Sequence, residues 1–337
     1  MHLTTTGLII IQIEKLFMYA RLNKFLKRNG LLKESRFDIY EDPFFSLIVT
    51  IHNAESYVDR CIESLVQQSF KSIEIICVND ASTDSSMKII QKFAAYDSRI
   101  KIINDFEHLS KLAARMKGVE QANGEYILFV DVYDFLDVNA CQSIFASLKK
   151  HDIDILQFKC GVEGQGREEK QIPCAEQKPA GEKLDKEGML DALFEKGSVS
   201  TSLFGKAIRT NIAKLANKSI KVKEPYPGED IYHSFFIAYY AKSFQYINTH
   251  PLYWVGKQSD SEAKYAMPLN TYALHCGSNV FCSDIHDFLE KKGDLVKYYH
   301  IYEAISRRLL ELLRHSDYVM SSTANLSHPT KRLCHRG

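Results

Sequence analysis

The chain has 337 residues, with 43 lysines and arginines against 42 aspartates and glutamates. This near-neutral balance gives no broad basic field, which argues against a protein dedicated to nucleic-acid binding. Hydrophobic residues make up 45% of the chain and charged residues 25%, the composition of an ordinary folded protein. The length allows one large α/β domain with extensions, or two modest domains.

Residues 1–43 form a basic amphipathic segment, in which apolar residues recur at near-helical spacing between lysines and arginines. Such a helix either lies on an anionic membrane surface or packs on its own domain or a partner, and both interpretations stay open. No apolar run approaches the roughly 20 residues that span a bilayer. The eight cysteines include no C-x-x-C pair, which favours a reducing cytoplasm. We therefore expect a cytoplasmic protein, peripheral at most on the inner face of the membrane.

From Phe44 onward, apolar β-branched runs alternate with segments of helical period. Strands are predicted at residues 45–51, 73–78, 100–103, 126–130 and 153–158, and helices at residues 58–66, 87–95 and 112–122. Asn53 is positioned to cap the first of these helices. Because strands and helices alternate, the sequence predicts a doubly wound, mostly parallel sheet flanked by helices.

The second half is less regular. Residues 161–188 are rich in Gly, Glu, Lys and Gln and show no period, as in a functional loop or a mobile insertion. Helical patterns return at residues 231–241 and 295–313. We divide the chain after the N-terminal segment into residues 44–160, residues 161–260 and a helical C-terminal extension at residues 261–337.

Polar clusters follow three of the predicted strands, at residues 50–53, 79–84 and 131–134. Ligands of doubly wound sheets collect beyond the carboxyl ends of the strands. The sequence has neither a G-x-G-x-x-G loop nor a Walker lysine motif, which argues against dinucleotide-binding and NTPase functions. A sheet with acidic tips can instead hold a diphosphate through a divalent cation.

Residues 45–135 resemble the front half of the inverting family 2 glycosyltransferases. The resemblance implies their Rossmann-like GT-A fold, a mixed, mostly parallel sheet flanked by helices. The matching words are SLIVTIHNAE at 46–55, SLVQQSF at 64–70, VNDASTD at 78–84, Ala113-Ala114-Arg115 with Gly118, and GEYILFVD at 124–131. Each word is weak alone, but their order and spacing make coincidence a poor explanation.

The resemblance implies roles for the strand ends. Four residues, Thr50, His52, Asn53 and Asp131, would lie at the nucleotide, with the His52 imidazole where the family usually has a tyrosine. Asp80 would accept a hydrogen bond from the base, most often uracil. Turn and helix-cap chemistry is the alternative for Asp80 and Asp84. We favour the cap for Asp84 and the nucleotide for Asp80.

The family's metal motif is altered in this chain. The family has Asp-x-Asp, and its second Asp binds Mn²⁺ or Mg²⁺, but here Tyr133 takes that position after Asp131. A neutral phenol is a poor ligand for a hard cation. Either Asp131 and Asp134 share the metal ion, or the site works with weak or no metal, or catalysis has been lost.

Residues 228–231 resemble the Glu-Asp pair that provides the family's catalytic base at a helix start. Asp230 is then the base and Glu229 orients it or the acceptor, although acids in a first helical turn also complement the helix dipole. His108 and Lys111 could approach the diphosphate, or they could belong to a solvated loop.

The resemblance thus implies that residues 44–160 bind a UDP-sugar and that residues 161–260 bind the acceptor and supply the base. The reaction would be inverting transfer of a hexosyl or N-acetylhexosaminyl group to a glycan or glycolipid hydroxyl, in the manner of enzymes that build bacterial surface glycans. One alternative is a catalytically impaired GT-A-like domain that binds nucleotide sugar or a partner enzyme, which Tyr133 makes credible. A nucleotidyltransferase is a second alternative, but it would need a glycine- and lysine-rich first loop that this sequence lacks.

Overall fold

The computed structural model describes residues 43–163, 183–224, 226, 228–256 and 271–323. The amphipathic segment up to residue 42, most of the irregular stretch predicted at residues 161–188, and the tail after residue 323 lie outside the described residues.

The described elements run in the following chain order. They are β1 (Phe45–Ile51), α1 (Val58–Val66), β2 (Ile73–Asp80), α2 (Ser86–Tyr96), β3 (Ile100–Asp105), α3 (Lys111–Gln121), β4 (Tyr126–Asp131), β5 (Phe135–Leu136), α4 (Ala140–Leu148), β6 (Ile155–Phe158), β7 (Cys160–Val162), β8 (Lys183–Asp185), α5 (Lys186–Leu190), a π-helical turn (Asp191–Glu195), β9 (Lys206–Arg209), α6 (Thr210–Ser219), α7 (Glu229–Tyr240), β10 (Ser243–Ile247), β11 (Tyr253–Val255), α8 (Thr271–Lys292) and α9 (Tyr299–Thr323).

The first half of the fold is a parallel sheet in the order β3-β2-β1-β4. Every residue of β2 and all but one of β1 are buried, as expected for apolar strands covered on both faces. The register sets Thr50 beside both Val78 and Asp131. The carboxyl ends of β1, β2 and β4 therefore lie at one edge of the sheet.

The second half makes the sheet mixed. Strand β9 pairs antiparallel with β4 and β6, and β10 pairs parallel with β6 and antiparallel with β8. The mixed, mostly parallel sheet that the sequence predicts is thereby confirmed. We did not predict β9, because its four residues, Lys206–Arg209, are too few to show a period. A second sheet, in the order β5-β11-β7, brings β11 close to the end of β4.

The helices α8 and α9 cover α7 with buried apolar side chains, including Phe281, Phe288 and Leu309. Phe281 stacks on Tyr232 of α7 with a centroid distance of 4.2 Å. Gly228, just before α7, has φ +91, and a Cβ there would lie 2.4 Å from Leu309. The C-terminal helices therefore fix the start of α7. Within the part of the chain that the structure describes, no helix is both long and apolar enough to cross a membrane.

Gly124 allows β1 to approach the turn before β4. Its N–H lies 2.9 Å from Ser46 Oγ, and a Cβ would lie 2.6 Å from Ser46 N and 2.7 Å from Phe45 C. Because these neighbours are backbone atoms, we expect Gly124→Ala to lower the free energy of unfolding by about 3 kcal/mol. Gly293→Ala is the control, since a Cβ on Gly293 would meet nothing within 4 Å and only the φ of +74 opposes the substitution, which should cost about 1–2 kcal/mol. Urea unfolding that ranks the two variants equally would contradict this steric argument.

Candidate active site

A cleft of about 360 Å³ opens at the carboxyl ends of β1, β2 and β4. The residues around it come from those strand ends, from the loop into α3 and from the start of α7; they include Thr50, His52, Asp80, His108, Lys111, Asp131, Tyr133 and Glu229. Five of the eight predicted site residues thus share one cavity. The other three, Asn53, Asp134 and Asp230, are not among the residues that line it.

Asp80 anchors one end of the cleft. Its Oδ1 accepts a hydrogen bond from the Leu109 N–H at 2.6 Å, and its Oδ2 lies 3.0 Å from His108 Nδ1. His52 Nδ1 lies 2.6 Å from the backbone oxygen of Asp80, and its ring is 4.1 Å from the His108 ring. Asp80 therefore holds the loop before α3 against the end of β1.

Asn53 connects two loops rather than capping a helix. It has φ 46, and its Oδ1 accepts a hydrogen bond from the Thr83 N–H at 2.8 Å. Helix α1 begins only at Val58, so the cap that we predicted at Asn53 is wrong. Asp84 Oδ1 accepts a hydrogen bond from the Ser86 N–H and so closes the turn before α2, but the N-cap position of that helix is Ser85.

Arg115 links the end of β4 to the start of α7. Its side chain is 1% exposed, and it donates to Asp131 Oδ1 at 3.1 Å and to Asp230 Oδ1. Lys111 Nζ lies 2.8 Å from Asp131 Oδ2. Burial opposes ionisation of Asp131, but Lys111 and Arg115 lower the pKa of Asp131 to about 2. The network therefore holds an ionised Asp131 between two cations.

The two acids at the start of α7, Glu229 and Asp230, have pKa values shifted in opposite directions. Glu229 lines the cleft, accepts a hydrogen bond from the Leu112 N–H at 2.6 Å, and has its pKa raised to about 7 by burial. Burial opposes ionisation of Asp230 as well, but Arg115 and Lys111 lower its pKa below the usual range. At neutral pH the pair thus contains one fixed carboxylate and one carboxyl group close to its titration point.

Asp134 faces the second sheet. Its Oδ2 accepts a hydrogen bond from the Tyr253 hydroxyl at 2.5 Å, its Oδ1 accepts one from the Gly256 N–H at 3.0 Å, and the residue is 5% exposed. Burial and the nearby charge of Asp131 raise the pKa of Asp134 to about 6. The structure therefore does not bring Asp134 into the cleft beside Asp131 as a shared metal site would require.

The remaining oxygen donors near Asp131 do not fit a cation that bridges a diphosphate. Mg²⁺ and Mn²⁺ sites of this kind need carboxylate oxygens. Both oxygens of Asp131 already contact cationic side chains, and Tyr133 offers a phenol packed edge-on against Tyr57. Ligand atoms of His52, Asp80 and His108 lie within 4.8 Å of one another, but imidazole donors suit softer metals than Mg²⁺.

Two residues that position the acids of this site, Arg115 and Tyr253, had no predicted role. Arg115 appears in the Ala-Ala-Arg word, yet its two acidic partners stand 16 and 115 residues away in the chain. The Tyr253 hydroxyl accepts a hydrogen bond from the Asp131 N–H at 3.1 Å, in addition to its contact with Asp134. For Arg115, the signal available in the sequence was an arginine within a predicted helix that is next in the chain to a strand with an acidic end.

The cleft geometry agrees with comparisons to known proteins. Residues 46–200 match the family model described as Glycosyl transferase family 2. Residues 46–200 are therefore a glycosyltransferase family 2 domain. EpsH of Bacillus subtilis (strain 168) is 28% identical to the chain over 317 residues, which cover 87% of this chain and 90% of EpsH.

Other relatives of the chain match over shorter lengths. The poly(ribitol-phosphate) beta-glucosyltransferase of Bacillus spizizenii is 34% identical over 125 residues, covering 36% of this chain and 20% of that protein. Among solved structures, residues 1–349 of S. aureus TarS in complex with UDP-GlcNAc superpose with a TM-score of 0.58 at 21% identity, covering 72% of this chain and 66% of that one. The shared fold is GT-A.

Proposed function

We propose that this glycosyltransferase moves a sugar from a UDP-sugar to a hydroxyl of a bacterial surface glycan or glycolipid, with inversion at the anomeric carbon. The observation that carries the proposal is the single cleft that joins Thr50, His52, Asp80, Asp131 and Glu229. These residues come from three strand ends and one helix start, the location where open α/β sheets bind nucleotides.

Two observations support a UDP-sugar as the donor. Asp80 lies with His52 at one end of the cleft, where a carboxylate and an imidazole can hold a uracil by hydrogen bonding and stacking. The TarS structures contain UDP-GlcNAc and UDP, which supports a uridine nucleotide here. A hexosyl or N-acetylhexosaminyl donor agrees with both.

The transfer is a direct displacement. The acceptor oxygen attacks the anomeric carbon, a carboxylate takes its proton, and the bond to the diphosphate breaks with the electron pair leaving on the phosphate oxygen. Asp230 is the proposed base, since Arg115 holds it ionised, and Asp230 Oδ2 has no hydrogen-bond partner within the described ranges. Glu229 would orient the acceptor from the cleft wall.

Donor consumption tests this proposal most simply. The full chain should release UDP from at least one member of a UDP-sugar panel when a glycan or glycolipid acceptor fraction is present. Binding of UDP without consumption of any donor, with or without Mn²⁺, would instead favour the alternative that Tyr133 suggests, a domain that binds nucleotide sugar without catalysis. Failure to bind any nucleotide would refute both.

The pH dependence separates the roles of the two acids. With Asp230 as base, we expect kcat to stay flat between about pH 6 and pH 8, because Asp230 stays ionised throughout. As pH rises through about 7, Glu229 gains a negative charge in the cleft. The donor KM should therefore rise in the wild type and stay flat in Glu229→Gln. A kcat that rises through pH 7 and disappears in Glu229→Gln would make Glu229 the base.

A further inference from the structure

Cationic side chains of the protein itself neutralise the carboxylates around Asp131. Lys111 and Arg115 contact opposite oxygens of Asp131, and Arg115 also pairs with Asp230. Two aspartates and two cations leave this group of four side chains neutral overall. A divalent cation added beside Asp131 would have to displace Lys111 or Arg115 from that carboxylate.

The two cations differ in what they can reach. Arg115 is enclosed and its guanidinium is used by two carboxylates, so it serves to hold Asp131 and Asp230 in place. Lys111 is 46% exposed and lines the cleft. A lysine ammonium has three donors on a flexible stem. It can keep one contact with Asp131 and donate the others to a phosphate.

The position of Lys111 in the fold also favours the binding of an anion. It is the first residue of α3, and the positive end of a helix dipole favours anions. The next two amides in the helix are already used, since the Leu112 N–H donates to Glu229 and the Ala113 N–H donates to Ser110 Oγ. The Lys111 side chain is therefore the cationic donor that α3 presents to the cleft.

We propose that Lys111 neutralises the diphosphate of the nucleotide sugar, so that this enzyme transfers sugar without a divalent cation. The inference rests on the proposed function. When the bond to the anomeric carbon breaks, the diphosphate gains one negative charge, and the ammonium of Lys111 stabilises it. Tyr133 then replaces the second aspartate of the family motif without loss of catalysis, because no cation needs that ligand.

The test combines chelation with a substitution. Donor consumption is measured in EDTA and in Mn²⁺ for the wild type, Lys111→Met, Lys111→Arg and Lys117→Met. Lys117 is the matched control, because it also lies in α3 and pairs with an aspartate, Asp105, but does not line the cleft. Titration calorimetry in EDTA measures the affinity for UDP and for uridine, and thermal unfolding shows that each variant is folded.

We expect the wild type to consume donor equally in EDTA and Mn²⁺. Lys111→Met should lose about 10- to 100-fold in affinity for UDP and not for uridine, the scale of a hydrogen bond between charged groups. Lys111→Arg should recover most of that loss, and Lys117→Met should resemble the wild type.

Two results would overturn the inference. One is consumption that stops in EDTA and returns with Mn²⁺; the other is a Lys111→Met variant whose affinity for UDP in EDTA equals that of the wild type. Failure of the proposed function looks different. If the wild type consumes no donor in any metal condition, the sugar transfer is refuted, while the UDP and uridine titrations still decide whether Lys111 binds the diphosphate.

Discussion

Asp230→Asn is expected to lower the rate of sugar transfer about 10³-fold, within the usual range for loss of a general base. The amide keeps the shape of the side chain and can still accept a hydrogen bond from Arg115, but it cannot take a proton from the acceptor. Because Asp230 does not line the cleft, the affinity for UDP should stay close to that of the wild type. Single-turnover kinetics and UDP calorimetry measure the two quantities separately.

Asp287→Asn is the control for Asp230→Asn. Asp287 lies on α8 with its side chain 60% exposed, so the substitution should change neither rate nor affinity. Equal losses of rate and UDP affinity in Asp230→Asn would indicate that Asp230 shapes the binding site rather than acting as base. A rate close to that of the wild type would remove Asp230 from the mechanism.

Arg115→Met is expected to lower the free energy of unfolding at neutral pH by about 3–5 kcal/mol, the cost of leaving buried charges without a partner. In the wild type, Arg115 stabilises the ionised forms of Asp131 and Asp230. A carboxylate with a depressed folded-state pKa stabilises the fold above its unfolded pKa, near 4, and loses that contribution as the pH falls through its folded value. For Asp131 the folded value is about 2.

The difference between wild type and Arg115→Met should therefore shrink as the pH falls from about 4 toward 2. Urea unfolding at neutral and acid pH measures this. Arg60→Met is the control, because Arg60 forms an exposed ion pair with Glu163, and such pairs contribute about 1 kcal/mol or less. A loss in Arg115→Met that does not depend on pH would show that the role of Arg115 is packing rather than charge.

The parallel half of the fold, and the strand ends that line the cleft, could be predicted from the sequence. Strand β1 was predicted at its observed bounds, because fully buried parallel strands read as continuous apolar runs. The same pattern of buried parallel strands places Asp80 and Asp131 near each other, because parallel strands end at one edge of the sheet. In the structure, both line the cleft.

The rest of the site depends on contacts between distant parts of the chain. Asp134 is turned from the cleft by Tyr253, which stands 119 residues later in β11. Periodicity reports which face of an element is apolar, but it does not say which of two acids near a strand end finds a partner elsewhere. The spacing of Asp131 and Asp134 could therefore suggest a shared metal ion, whereas only the fold reveals that tyrosine and lysine side chains already engage them.

The proposed function requires a sugar nucleotide to bind in the cleft formed by the ends of β1, β2 and β4 and the start of α3. A crystal structure of the full chain with UDP, grown in EDTA, tests it most directly. We expect the uracil within hydrogen-bonding distance of Asp80 and the diphosphate in contact with Lys111 Nζ. UDP bound on another surface of the domain, or in this cleft with its diphosphate directed away from Lys111, would contradict it.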